Sequence, residues 1–111
     1  MRPISKNLLI HTVSIEVYQD DTGWGSNIEP SVTINKVRVD PQSILRMSGS
    51  ASSSYDAEAK DVLFIDTTYS MPFIVPTVKS YVTFNSERMI VTSVKPFYNK
   101  DRLHHLEIGL K

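Results

Sequence analysis

Three histidines, His11, His104 and His105, are the side chains best suited to bind a metal or carry a proton near neutral pH. The adjacent pair His104-His105 lies in an alternating stretch. Neighbours on a regular strand point to opposite faces, so these two imidazoles are not expected to chelate one ion. His11 could meet one of them across a sheet. No third acid or cysteine has suitable spacing, so structural or interface histidines are expected and no metal site is assigned. The chain has no cysteine, which removes disulfide scaffolds, cysteine–zinc sites and thiol catalysis.

Asp20-Asp21-Thr22-Gly23 superficially resembles a calcium loop. It lacks the alternating acids and the twelfth-position Glu that enclose the ion, so a turn is expected. There is no Gly-x-Ser-x-Gly elbow, phosphate-cradling Gly-Lys-Ser/Thr loop or Gly-x-Gly-x-x-Gly fingerprint. Any one of the 14 serines is weak evidence for a nucleophile. No catalytic residue and no cofactor are assigned, and the chain is read as a non-enzyme.

Binding chemistry has three candidates. Lys95, Lys100, Arg102, His104 and His105 lie close to Phe97 and Tyr98, a mixture seen in small nucleic-acid-binding barrels. However, 12 Lys plus Arg balance 12 Asp plus Glu, and general nucleic-acid binding needs an excess of cations. A solvated face is the better reading. Trp24 stands between two turn residues, as a surface anchor or as a ring folded over one end of the domain. The third candidate is the stretch from Ser43 to Asp61. Its Ser48-Gly-Ser-Ala-Ser-Ser-Ser54 core is the one low-complexity segment and reads as a flexible tether. Long loops on economical domains tend to be functional. Arg46, Met47, Ser50, Tyr55 and Asp56 are its expected partner-binding residues.

The framework around these residues is β. Val 11, Ile 10 and Thr 8 far outnumber Ala 3 and Leu 7. β-Branched side chains favour strands and disfavour helices. Val13, Ile15 and Val17 alternate with Thr12, Ser14 and Glu16, the pattern of a half-buried strand. Residues 19–27 read as a loop. Residues 32–39 alternate with a phase slip between Ile34 and Val37, which predicts a bulge or bend, and Asp40-Pro41 ends that strand. Val62–Ile65 reads as a buried strand and 66–76 as an irregular connection. Tyr81–Phe84 and Met89–Val94 flank a tight turn at Asn85-Ser86. Pro96 to Arg102 reads as a connection, and Leu106, Ile108 and Leu110 share the face of a last strand. Weak helical turns are conceivable only at Ile44–Met47 or Tyr55–Lys60. The expectation is one all-β domain over residues 1–111: a small barrel or sandwich of six to seven short antiparallel strands, with a long flexible loop at about 43–61. The chain is long enough to bury roughly 65% of its unfolded surface. It has no apolar run of export or membrane-spanning length, so a soluble chain with no membrane partner is expected.

Taken in order, several of these pieces resemble a phage minor capsid protein family of tailed phages and prophages of Gram-positive bacteria. They are Leu8-Leu-Ile-His-Thr-Val-Ser-Ile-Glu-Val-Tyr18 followed by Asp21-x-Gly23, Val37-Arg-Val-Asp-Pro41, Leu63-Phe-Ile-Asp66, Val82-Thr-Phe-Asn85 to Val94-Lys-Pro96, and His105-Leu-Glu-Ile-Gly-Leu110. Residues 43–60 do not contribute. That family is similar to head-closure, or stopper, proteins of the head–tail connector. The resemblance implies a virion part at the head–tail junction, made in the bacterial host cytoplasm. It would associate into a ring, with neck proteins on the portal and adaptor side and on the tail side as partners, and with contact to the packaged DNA. A tail-completion or tail-terminator protein, or a small-barrel module binding nucleic acid or peptide, are the alternatives.

Overall fold

The structure, a computed structural model, describes residues 5–19, 27–42 and 58–111. After a short 3-10 turn at Lys6–Leu8 come six strands: β1 His11–Glu16, β2 Val32–Pro41, β3 Asp61–Asp66, β4 Tyr81–Phe84, β5 Glu87–Asn99 and β6 Arg102–Leu110. They close into a barrel in the order β1-β2-β3-β6-β5-β4, and every pairing is antiparallel. Two three-stranded meanders are thus joined along β3–β6 and β4–β1. Closure settles the choice between barrel and sandwich. No helix among the described residues is long and apolar enough to cross a membrane.

Alternation places the core. Val13 and Ile15 of β1 face inward with Leu63 and Ile65 of β3, and Leu106, Ile108 and Leu110 of β6 join them. All are at most 2% exposed. A six-stranded barrel is narrow enough for such side chains to fill. The cost of ordering these strands is offset mainly by this burial.

Three bulges re-phase the strands. In β2, His11 pairs Val37 and Thr12 pairs Asn35, so Lys36 is the extra residue, at φ 62°. This is the physical form of the phase slip: Ile34 and Val37 both reach the core because Lys36 absorbs the odd step. In β5, Val91 pairs Leu110 and Ser93 pairs Gly109, leaving Thr92 extra. In β6, Phe97 pairs His105 and Tyr98 pairs Leu103, leaving His104 extra.

The predicted hairpin is present. Phe84 pairs Glu87 across Asn85 and Ser86, whose φ values of 50° and 66° suit a two-residue turn with both residues left-handed. The expected connection at Pro96–Arg102 is not present. β5 continues to Asn99 and turns only at Lys100-Asp101. Pro96 is tolerated because β4 pairs β5 only as far as Ile90. Beyond that point β5 is an edge, where a missing N–H leaves no ladder bond unmade. The strands are also not uniformly short, since β5 has 13 residues. Residues 58–60 form a turn and bend, while Ile44–Met47 lies outside the described residues.

β3 and β4 stand opposite each other in the ring, so residues 67–80 cross one mouth of the barrel. Phe73 and Ile74 pack down onto the core. The same end carries the flanks of residues 20–26. Tyr18 bridges Ile28, Gln19 N–H donates to the Asn27 carbonyl at 2.7 Å, and Glu29 N–H donates to the Val17 carbonyl at 2.9 Å.

Candidate functional site

In a closed barrel the lateral strand edges that remain are those of strands running past their neighbours, as β5 does beyond Ile90. Contacts must come from that edge, from the two ends and from whatever projects beyond them. At one end the β5–β6 hairpin runs past its neighbours. β3 stops at the Asp66–His105 pair and β4 at the Tyr81–Ile90 pair. Only residues 98–104 therefore continue past both neighbours, an arm that extends roughly 7 Å along β5 at about 3.3 Å per residue. Val94 and Leu103 pack its base against the core. Thr67 pins it: its Oγ1 lies within hydrogen-bond distance of the Leu103 carbonyl at 3.2 Å and of the His104 carbonyl at 2.9 Å.

The bulge at His104 overturns the expectation that His104 and His105 face apart. The extra residue breaks the alternation, and the two Nδ1 atoms come within 2.7 Å. His105 Nε2 lies 3.0 Å from Glu107 Oε2. With Glu107 as carboxylate, His105 donates from Nε2 and its Nδ1 accepts from His104 Nδ1–H. All three groups are then satisfied. Glu107 faces outward between the inward Leu106 and Ile108, yet is only 6% exposed. Phe97 stacks on the His105 ring at 4.9 Å and 3°, and Phe64 lies on its other flank at 6.4 Å. His11 takes no part. It packs edge-on against Phe84 at 4.7 Å, and its Nδ1 accepts the Val39 N–H at 3.0 Å. Among the described residues no group of three His, Cys, Asp or Glu side chains is placed to hold a metal ion.

The crossing segment is built on polar side chains inside the protein. Asp66 is fully buried, and its Oδ2 accepts the N–H groups of Thr68 and Tyr69, each at 2.9 Å. Ser70 Oγ accepts the Asp66 N–H at 2.9 Å and donates to the Lys36 carbonyl at 2.6 Å. Asn35 and Met71 exchange backbone hydrogen bonds. Further along, Ser80 Oγ accepts the N–H groups of Tyr18 and Thr77, and Thr77 Oγ1 donates to the Tyr18 carbonyl. These serines are scaffolding. Sequence reasoning missed them and Asp66. The available signal was an Asp opening a Thr-Thr-Tyr-Ser run, a composition that favours side-chain-to-backbone turns.

The exposed residues of the crossing segment are mixed, with large apolar side chains among Thr68, Thr77 and Lys79. Met71, Val75 and Val78 are 62%, 51% and 49% exposed, and Tyr98 on the arm is 58% exposed. A hollow of about 320 Å³ lies at Val78, lined also by Tyr18, Gln19, Thr77 and Lys79. Lys100 and Arg102 add exposed charge at the arm tip.

The opposite end holds the stem of the segment 43–57. Gln42 N–H donates to the Lys60 carbonyl at 2.9 Å, and Gln42 Nε2 donates to the Ala59 carbonyl at 3.1 Å. Lys60 Nζ lies 2.6 Å from Glu87 Oε2, a bond that raises the lysine pKa above its ordinary value. Partial burial raises that of Asp61. The residues expected to bind partners, Arg46, Met47, Ser50, Tyr55 and Asp56, lie outside the described residues, as does Trp24.

The described residues form a small closed β-barrel of six strands, with a different set of segments at each end. Comparison with known protein families gives the class a name. The minor capsid protein family matches residues 5–110, and the chain belongs to it. Membership supports a structural role in the phage virion. Neither the curated proteins nor the solved structures contain a match.

Proposed function

We propose that this chain is a head-closure subunit of the head–tail connector. Copies would form a ring that seals the DNA channel and offers the tail a docking surface. The observation that supports this reading is the pairing of family membership with a barrel whose two ends differ. One end has a crossing segment with exposed Met71, Val75 and Val78 and a projecting hairpin tip, and the other has the stem of the segment 43–57. A protein that sits between two unlike partners needs two such unlike surfaces. A ring also needs a heterologous contact between neighbouring copies. In this reading the loop supplies it: Arg46, Met47, Ser50, Tyr55 and Asp56 order on a neighbouring subunit or on the adaptor.

The test is deletion of the gene in its parent phage or prophage, with electron microscopy of the lysate. Unjoined heads and tails, with heads that lose DNA, are expected. Normal infectious particles would overturn the proposal. Joined particles with defective tails would move the protein to a tail-completion role. Deleting only Gly49–Ala57 keeps the Gln42–Lys60 stem, so a folded barrel that no longer supports joining is expected. Normal virions from that variant would remove the loop from the mechanism.

A further inference from the structure

A groove of about 640 Å³ lies on the flank of the barrel, where the N-terminal turn passes the β1–β2 ladder. Its polar lining is Lys6, Asn7, His11, Thr12, Asn35 and Lys36, and no acid is among the lining residues. The donors on its strands are set by their neighbours. Thr12 Oγ1 donates to Asn35 Oδ1 at 3.2 Å, so the Asn35 amide nitrogen is left to donate elsewhere. His11 Nδ1 accepts the Val39 N–H at 3.0 Å, so the neutral ring carries its proton on Nε2. The bulge puts two consecutive residues, Asn35 and Lys36, on the exposed side of β2. Lys36 is held at φ 62°, a conformation a lysine adopts only at a cost. The Ser70 bond to its carbonyl keeps it there. The nearest acid along β2, Asp40, is occupied by Arg38 at 2.8 Å. Arg38 Nη1 also donates to the Leu8 carbonyl at 3.1 Å, which ties the N-terminal turn to the barrel. Among the described residues no carboxylate pairs with Lys6 or Lys36.

We infer that this groove binds an acidic peptide segment, a carboxylate next to an apolar side chain, presented by a neighbouring protein. Two ammonium groups and oriented N–H donors without a competing acid are complementary to a carboxylate. Ile10 on the lining is 65% exposed and offers the adjoining apolar contact. A DNA duplex suits the groove less. It requires a row of cations along the backbone, whereas here the cations gather at one spot beside an apolar side chain. The choice of a protein partner rests on the assembly reading above, while the preference for a carboxylate rests on the groove itself.

The test uses the full chain and amide NMR. The probes are a short blocked peptide of alternating Glu and Val, its Gln–Val counterpart and a short DNA duplex. The Glu–Val peptide should move the amide signals of His11, Thr12, Asn35 and Lys36, and the Gln–Val peptide should not. Raising the salt to about 0.5 M should weaken binding, because exposed pairs are screened at that strength. Lys36→Gln and Lys6→Gln should each weaken it up to about fivefold, the upper range for an exposed ion pair. Lys6 lies outside the strands, so its variant does not put the fold at stake. Signals that stay in place with the Glu–Val peptide, signals that move only with DNA, or lysine variants with unchanged affinity would each overturn the inference. Peptide binding is measured on the isolated chain and particle joining in lysates, so failure of one is distinguishable from failure of the other.

Discussion

Replacing Asp66 by Ala and by Asn separates two contributions to the segment that crosses the barrel mouth. Asp66 is fully buried, and its Oδ2 holds the N–H groups of Thr68 and Tyr69 at 2.9 Å. Hydrogen bonds to a charged group contribute about 1.5–3 kcal/mol each. Simple addition therefore suggests about 3–6 kcal/mol for Asp66→Ala. Thr68 is exposed, so water can replace its lost partner and reduce that sum. Tyr69 is only half-buried and recovers part of its own. The expected loss is about 2–4 kcal/mol, a large share of the roughly 5–15 kcal/mol that holds a domain of this size together. Asp66→Asn can keep an acceptor oxygen for Thr68 and Tyr69 but removes the charge and turns the other oxygen into a donor, so about 1–2 kcal/mol is expected. Urea unfolding reads both values. With a slope of about 1–3 kcal/mol per M for a small protein, the Ala variant should lower the midpoint by roughly 1–2 M at unchanged slope. Native-state hydrogen exchange should show faster exchange at Thr68, Tyr69 and Ser70 in both variants, and much faster in the Ala variant. An Asp66→Ala protein within about 0.5 kcal/mol of the original would refute the assignment, as would an Asn variant as damaged as the Ala variant.

Three further outcomes follow from the same structure. Ser86→Gly should stabilise the protein by about 0.5–1 kcal/mol in thermal unfolding, because Ser86 sits at φ 66°, where glycine pays no side-chain penalty. His105→Ala should cost about 1–3 kcal/mol by removing the Glu107 bond together with the stacking, whereas His105→Phe keeps only the stacking on Phe97; a Phe variant as stable as the original in urea titrations would remove the Glu107 bond from the account. Asp61→Asn should stabilise the protein at pH 7. The Asp61 pKa is raised in the fold by burial, so the stability tied to its protonated form is complete below the ordinary aspartate pKa and is lost as pH rises through the folded value. The gap between variant and original should therefore close in acid, and a gap independent of pH would contradict the burial argument.

β-Branched composition and period-2 alternation determined the all-β class, the inward faces of β1 and β6 and the hairpin at Asn85-Ser86. Each of these depends on residues near one another in sequence, where alternation and turn chemistry act directly. The phase slip between Ile34 and Val37 even located a bulge. Only the tertiary structure decided the rest. Whether six strands close depends on which edges meet, and the β1–β4 and β3–β6 pairings join residues far apart in the chain. Pro96 is a strand residue because β4 ends too early to need its N–H, a fact about a neighbouring strand. His104 and His105 come together because a bulge suspends alternation where Tyr98 meets Leu103. Asp66 and Ser70 became buried organisers because the chain must cross a barrel mouth whose existence depends on closure. Local chemistry determined what each segment could be, and the packing of distant segments decided which polar groups lost water and had to find partners inside the protein.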